Sequence, residues 1–242
     1  MVIVMSPGGR AHTEEARRRR ADQLLDIASE LLLRAGYRRV TVDDIAGRAG
    51  VGKGTVYLHW KSRDELLLAV LQREVVHSID QLVSVLRDDA TTIVLHRMTE
   101  VHFLEVMRRP LLRALYTTDP EVLGRLAAEL HTGQGLDHHR AFDDYLRLLA
   151  DHGLLRNDLS IEEISYGYHA VLHGYLSEDS YDRGAPELSQ ERKARLLATT
   201  VQHAFEPPQS AFEAVRDIHE RAISLFAETA DRARALLYPT TN

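Results

Sequence analysis

The stretch VTVDDIAGRAGVGKGTVYLHWKSRDELLL, residues 40–68, decides how the rest of the chain is read. Thr41 is placed to cap a helix, its hydroxyl accepting a backbone N–H two or three residues on. Asp43 and Asp44 follow in the first turn, where the helix dipole favours negative charge. Ile45, Ala46 and Ala49 fall at helical spacing, and their small faces let a second helix cross closely. Gly50 suits the position after a helix end, where a left-handed backbone is cheap only without a Cβ. Val51 plugs the corner between the two helices. The next helix, predicted over 53–59, presents Lys53, Thr55, Tyr57 and His59 beside apolar Val56 and Trp60. Two short helices joined by so sharp a turn make a helix-turn-helix, and the second is suited to a DNA major groove.

Upstream, Thr13 can cap a helix whose first turn holds Glu14 and Glu15. Leu24, Ile27, Ala28, Leu31, Leu32 and Ala35 then repeat at helical spacing until Gly36 ends it. This helix should pack across the other two and complete a three-helix head over 13–62, with 1–12 as a disordered arm. The basic run 17–20 reads equally as a solvated helix face or as a phosphate or minor-groove contact. Downstream, Ser62 caps a fourth helix from 63 to about 86, with no Pro or Gly inside it. At 1.5 Å per residue it spans about 36 Å, enough to run from the head into the body as a lever.

Charge separates the same two regions. The whole chain carries a net −6, which argues against a nucleic-acid protein. Residues 1–63, however, hold 12 Lys and Arg against 7 Asp and Glu, while the remainder holds 18 against 29. A basic head on an acidic body is the footprint of a DNA-binding module. The chain of 242 residues has no cysteine, so disulfides, thiolate metal sites and cysteine nucleophiles are excluded. No apolar run reaches the length of a membrane span or a signal h-region, so a soluble, cytoplasmic protein is expected.

The body reads as helical, with helices predicted over 92–107, 111–117, 120–131, 136–153, 161–176, 189–205 and 209–237. Nothing alternates with the period of two that marks a strand. The last helix has an apolar stripe from Phe212 to Leu236 and needs a partner surface.

Thr41, Ile45, Ala46, Ala49, Gly50, Val51, Gly54, Thr55, Val56, Tyr57, His59, Lys61, Ser62, Glu65 and Leu66 together resemble the tetracycline-repressor (TetR) family of transcriptional regulators. The resemblance covers about residues 17–70. It implies an all-α fold: a helix-turn-helix head on a larger helical ligand-binding and dimerisation body, 63–242. Positions matching Thr41, Lys53, Gly54, Thr55, Tyr57, His59 and Lys61 would face double-stranded operator DNA. Arg63, at a helix start where backbone N–H groups favour phosphate, is read as a further contact. Helices 161–176 and 189–205 would pair with their copies in a homodimer. Phe103, Met107, Leu111, Leu115, Tyr116, Phe142, Tyr145, Tyr168 and Leu172 would surround a small-molecule effector of unknown identity. The implied function is a repressor that binds a palindromic operator and is released by that effector. The helix beyond Pro207-Pro208 exceeds the common family pattern, and it could shield the body, enlarge the dimer interface or cover the pocket.

A helical enzyme or metal-binding protein is the alternative. Body His, Asp and Glu residues could serve as acid–base groups, and His169 and His173, four apart, with His138 and His139, could ligate zinc. No HExxH, GxSxG, GxGxxG or P-loop pattern accompanies them. Neither an enzyme, nor a cofactor, nor a metal site is therefore expected.

Overall fold

The computed structural model describes residues 7–126, 135–181, 187–208 and 212–238, the side chains of 7–13, 135–139, 178–181 and 212–214 excepted. Regular structure among these residues is helical throughout. The head comprises α1 (Pro7–Ala35), α2 (Val42–Arg48) and α3 (Lys53–Tyr57), and α4 (Arg63–Asp88) leads out of it. A 3-10 turn (Ala90–Ile93) precedes α5 (Leu95–Arg108), α6 (Pro110–Tyr116) and α7 (Pro120–Leu123). The body is completed by α8 (Gly135–Asp151), α9 (Ile161–Tyr181), α10 (Gln190–Phe205) and α11 (Phe212–Leu237).

Several boundaries differ from the sequence reading. The first helix begins at Pro7, so residues 7–12, expected as a disordered arm, are helical, while 1–6 lie outside the described residues. Pro7 fits there because a first-turn residue has no intrahelical use for its N–H. The recognition helix stops at Tyr57 rather than His59, the chain tightening as His59 N–H donates to Val56 O at 2.9 Å. The helix expected over 120–131 ends at Leu123, because Gly124 takes φ +52°. The remainder of that expected helix beyond Leu126 falls outside the described residues. Conversely, α9 continues past Leu176 to Tyr181, through a polar segment that holds no Gly or Pro to stop it.

Two apolar cores result, and α4 belongs to both. Leu24, Leu25, Ala28 and Leu32 of α1 pack with Ile45, Val56, Trp60 and the first turns of α4, Leu66 to Leu71. Leu111 and Ala114 of α6, Leu123 of α7 and Leu126 beyond it enter this same head core. Further along α4, Ile79, Leu82, Val83 and Leu86 join the body core with Phe103, Tyr145, Leu197 and Phe226. Hydrophobic residues three and four apart thus bind one continuous helix into two separate clusters.

The C-terminal helix packs along α4 and against α8. It runs antiparallel to α4: His219 Nε2 lies 2.7 Å from Leu86 O, and further on Arg234 forks onto the Asp80 carboxylate at 2.7 and 2.8 Å. α10 packs on α5, and the buried Glu206 at its end accepts His96 N–H at 2.8 Å and meets His96 Nδ1 at 2.7 Å. That carboxylate caps the N-terminus of α5, which has no side-chain cap of its own residue.

Candidate nucleic-acid interface and body cavity

The helix-turn-helix is set by two reciprocal caps and one glycine. Thr41 Oγ1 accepts Asp44 N–H at 3.2 Å, and the Asp44 carboxylate accepts Thr41 N–H at 3.3 Å. This capping box satisfies two donors that a helix start otherwise leaves open. Gly50 holds φ +66°, and Val51 N–H returns to Ala46 O at 3.0 Å, closing the corner. Ser62 repeats the device for α4: its hydroxyl accepts Glu65 N–H at 3.1 Å, while Glu65 reaches back to Lys61 N–H at 2.8 Å. Trp60 is 2 % exposed and belongs to the core, whereas Tyr57 is 48 % exposed on the outer face.

Thr41, Lys53, Gly54, Tyr57 and Lys61 share an exposed edge, with Thr55 and His59 half-buried beside it. Lys53 Nζ lies 2.6 Å from Asp43, so its ammonium is turned toward the start of α2. A Cβ on Gly52 or Gly54 would meet nothing within 4 Å. Packing within the chain therefore does not demand glycine at either position. The His59 imidazole is held below its ordinary pKa, first by burial and then by the positive charges of Arg17 and Arg20. Leu58, 63 % exposed at the end of α3, belongs to the same edge. Its apolar type hid it from a reading based on charge and hydrogen-bonding reach.

Arg63 is placed differently from the other expected DNA contacts. Its guanidinium stacks over the Tyr37 ring, 4.3 Å from the centroid, and donates to Val40 O at 3.2 Å. It also donates to Asp64 Oδ1 at 3.2 and 3.1 Å, where Tyr37 Oη donates too, at 3.0 Å. Arg125 pairs with the other oxygen of the same carboxylate. These partners turn Arg63 into the head, where it fastens the loop after α1 to the start of α4.

In the body, α4, α5, α6, α8, α9 and α11 enclose an apolar cavity of about 50 Å³. Tyr116, Phe142, Tyr168 and Leu172 line it, as expected from the sequence. The other expected positions do not line it. Phe103 is wholly buried in the surrounding core, Met107 and Leu115 pack at its edge, and Leu111 faces the head. Tyr145 is buried with its hydroxyl donating to Ile93 O at 2.6 Å. Walls that the sequence reading did not assign come from Val75, Ser78, Ile79 and Leu82 of α4 and from Phe226 and Thr229 of α11. Their spacing of three and four marks a helix face, but nothing local distinguishes a cavity wall from core.

Polar groups on this cavity are few. His102 and His169 stand on its wall, and His169 Nδ1 lies 2.7 Å from Ser165 O. Burial pushes the Tyr168 hydroxyl up to about 12 and raises Tyr116 as well, so both remain neutral. His173 is exposed, and the side chains of His138 and His139 lie outside the described residues. Among the described residues no group of three or more His, Asp or Glu is arranged to hold a metal ion. No described helix is long and apolar enough to cross a membrane.

Residues 24–70 match the family model for bacterial regulatory proteins of the tetR family. The HTH-type transcriptional activator FasR of Mycolicibacterium smegmatis is 45 % identical over 85 residues, 35 % of this chain and 37 % of FasR. The fatty acid metabolism regulator protein of Bacillus subtilis is 29 % identical over 156 residues, 64 % of this chain and 66 % of that protein. The matches thus span about one third and just under two thirds of these two relatives' lengths. An HTH-type transcriptional regulator of Mycobacterium tuberculosis, Rv1556, is 32 % identical over 160 residues, 65 % of this chain and 74 % of its own. Among solved structures, SmeT of Stenotrophomonas maltophilia in its triclosan complex superposes with a TM-score of 0.60 at 22 % identity. It covers 78 % of this chain and 93 % of SmeT, and so attests the fold.

Proposed function

The chain belongs to the TetR family of bacterial regulatory proteins, and on that premise we propose that it binds a palindromic operator as a homodimer and is released by a small apolar effector. One observation carries the reading: α4 is built into the core behind the DNA-facing edge at one end and into the wall of the cavity at the other. A ligand that alters the cavity therefore acts on the helix from which the head is hung. The cavity, at about 50 Å³, is far below the roughly 300–1,000 Å³ of ordinary ligand pockets. An effector must expand it, and its affinity for the expanded body over the closed one is the free energy available to shift the head.

The dimer reading rests on the outward faces of α9 and α10. Tyr166 is 79 % exposed, and Ala170, His173 and Gly174 continue its stripe. Arg195, Thr199 and Gln202 lie outward on α10. Small residues beside an exposed aromatic suit a self-complementary interface about a two-fold axis, and two-fold pairing supplies the second operator half-site. Catalysis has no part in this reading.

An operator selected from a randomised duplex library, followed by fluorescence anisotropy and sedimentation, tests it. A dimer binding one selected site with a strong salt dependence is the expected result. A monomer at micromolar concentration with and without DNA overturns the dimer, and equal affinity for all duplexes overturns the operator. The effector is tested by thermal stabilisation with saturated fatty acids of graded length. An acyl chain matches the apolar lining, and a relative is named a fatty acid metabolism regulator. FasR is named an activator, so a reporter fused to the selected operator decides the sign. Repression is expected.

A further inference from the structure

The effector cavity and the DNA-binding head are joined by α11 as well as by α4 and α6. Phe226 and Thr229 of α11 form part of the cavity wall. About 18 Å further along the same axis, at 1.5 Å per residue, Tyr238 follows the end of that helix. Its hydroxyl donates to Asp22 of α1, and its ring receives the Arg18 guanidinium at 5.0 Å. Tyr238 also lines a small cleft with Glu14, Arg17, His59 and Trp60, so it sits against the residues that immediately follow the recognition helix. Between cavity and head, Arg234 forks onto Asp80 of α4.

Besides the packing of α6 and α7 on the head core, polar contacts grip the head at two points. The first is the root of α4, where the Asp64 carboxylate gathers Tyr37, Arg63 and Arg125. The second is the α11–α1 contact at Tyr238, next to which the buried Arg73 of α4 pairs with Asp26 at 2.8 Å and donates to Asp22 O at 3.3 Å. Leu111 and Ala114 of α6 and Leu123 of α7 also pack into the head core, and Tyr238 adds a polar grip on α1. With α11 gripping the head as well as α4, a change in the separation of these two helices becomes a tilt of the head. Ile79 of α4 and Phe226 of α11 both line this small cavity, so a ligand that expands it against these two walls moves α11 relative to α4. Packed helices respond to such insertion by small rigid shifts rather than by internal bending.

We propose that α11 is a strap that transmits effector occupancy from the cavity to the head through Tyr238 and Arg234. The proposal rests on the effector-controlled DNA binding inferred above and adds the element that carries the signal. Its polar grips nearest the head, Arg234 and Tyr238, lie beyond the cavity-lining Phe226 and Thr229, so the strap can be loosened there without removing the cavity wall.

The test replaces the effector by a filled cavity. Ala141→Leu adds three carbons to a cavity of about 50 Å³ and mimics occupancy; Leu172→Phe is the second filler should the first fail to fold. Each is combined with Tyr238→Phe/Arg234→Gln, which keeps the shape of the strap and removes its grips, and with Tyr238→Ala/Arg234→Ala. Thermal unfolding and sedimentation confirm that each variant is folded and assembled, and operator affinity is then measured across the double-mutant cycle. In the parent, filling is expected to weaken operator binding at least tenfold. In the loosened backgrounds the same filling should weaken it by less than threefold. A tenfold loss that persists in both loosened backgrounds overturns the strap while leaving the effector cavity intact. No loss on filling in the parent, with either filler, overturns the effector reading and the strap with it.

Discussion

Arg63 sits over the ring of Tyr37, its guanidinium 4.3 Å from the ring centroid, and both side chains donate to one oxygen of Asp64. The pair ties the loop that leaves α1 to the first turn of α4. Arg63 thus holds the head to its stem, although its position in the sequence, at a helix start beside Lys61, suits a phosphate contact.

Arg63→Ala should accordingly cost about 1–2 kcal/mol of stability, from the lost cation–π contact and hydrogen bonds. The salt dependence of operator binding should stay as in the parent. Urea unfolding and a salt titration read the two separately. A salt slope lowered by about one per half-site, with stability unchanged, would mean that Arg63 meets phosphate after all.

Lys61 and Lys53 should differ from Arg63 and from each other. Lys61→Ala is expected to weaken binding to every duplex and lower the salt slope by about one per half-site. Lys53 is paired with Asp43 at 2.6 Å, so Asp43→Asn should release it and remove a negative charge from the exposed edge of the helix-turn-helix. Tighter operator binding by Asp43→Asn, measured by anisotropy, is the expected outcome. Weaker binding would show that the pair positions Lys53 for its contact.

His59 should make DNA affinity depend on pH. Burial and the Arg17 and Arg20 charges hold its folded-state pKa below the ordinary imidazole value of 6.5. The lowered value means that its contribution to stability is present above 6.5 and is lost as pH falls toward the folded pKa. Bound phosphate favours the imidazolium and raises that pKa again. DNA binding should therefore take up protons, and affinity should rise between pH 7.5 and 6. His77 is shifted downward as well, first by burial, but it lies on α4 away from the recognition helix. The decisive comparison is His59→Gln: an undiminished rise in that variant assigns the proton elsewhere.

Gly124 is the tightest point between the head and the segment after α7. It holds φ +52°, and a Cβ there would lie 2.3 Å from Cδ1 of Tyr37. Gly124→Ala should cost roughly 1–3 kcal/mol through backbone strain and displacement of that ring. Gly47, inside α2 with nothing within 4 Å of its added Cβ, is the control. Gly47→Ala should stabilise by roughly 0.5–1 kcal/mol. Equal urea midpoints for the two variants would refute this account of Gly124.

The sequence by itself determined the helix-turn-helix and the all-helical body. The caps at Thr41 and Ser62, the glycine at 50 and the apolar spacing from Leu66 to Leu86 act through contacts within a few residues. Such contacts are legible wherever the period of the helix is. The outward placement of Lys53, Tyr57 and Lys61 followed for the same reason, since the buried face of each short helix fixes the exposed one. Tertiary structure alone decided which way Arg63 turns, because its partners Tyr37 and Val40 lie more than twenty residues upstream. Only the packed fold separated cavity wall from core: Phe103 and Phe142 are the same residue type on helices of similar pattern, and their difference lies in what the other helices leave unfilled. The role of α11 was likewise undecided until its stripe was seen against α4. An amphipathic helix shows that it needs a surface, but the surface itself is chosen by side chains distant in the chain.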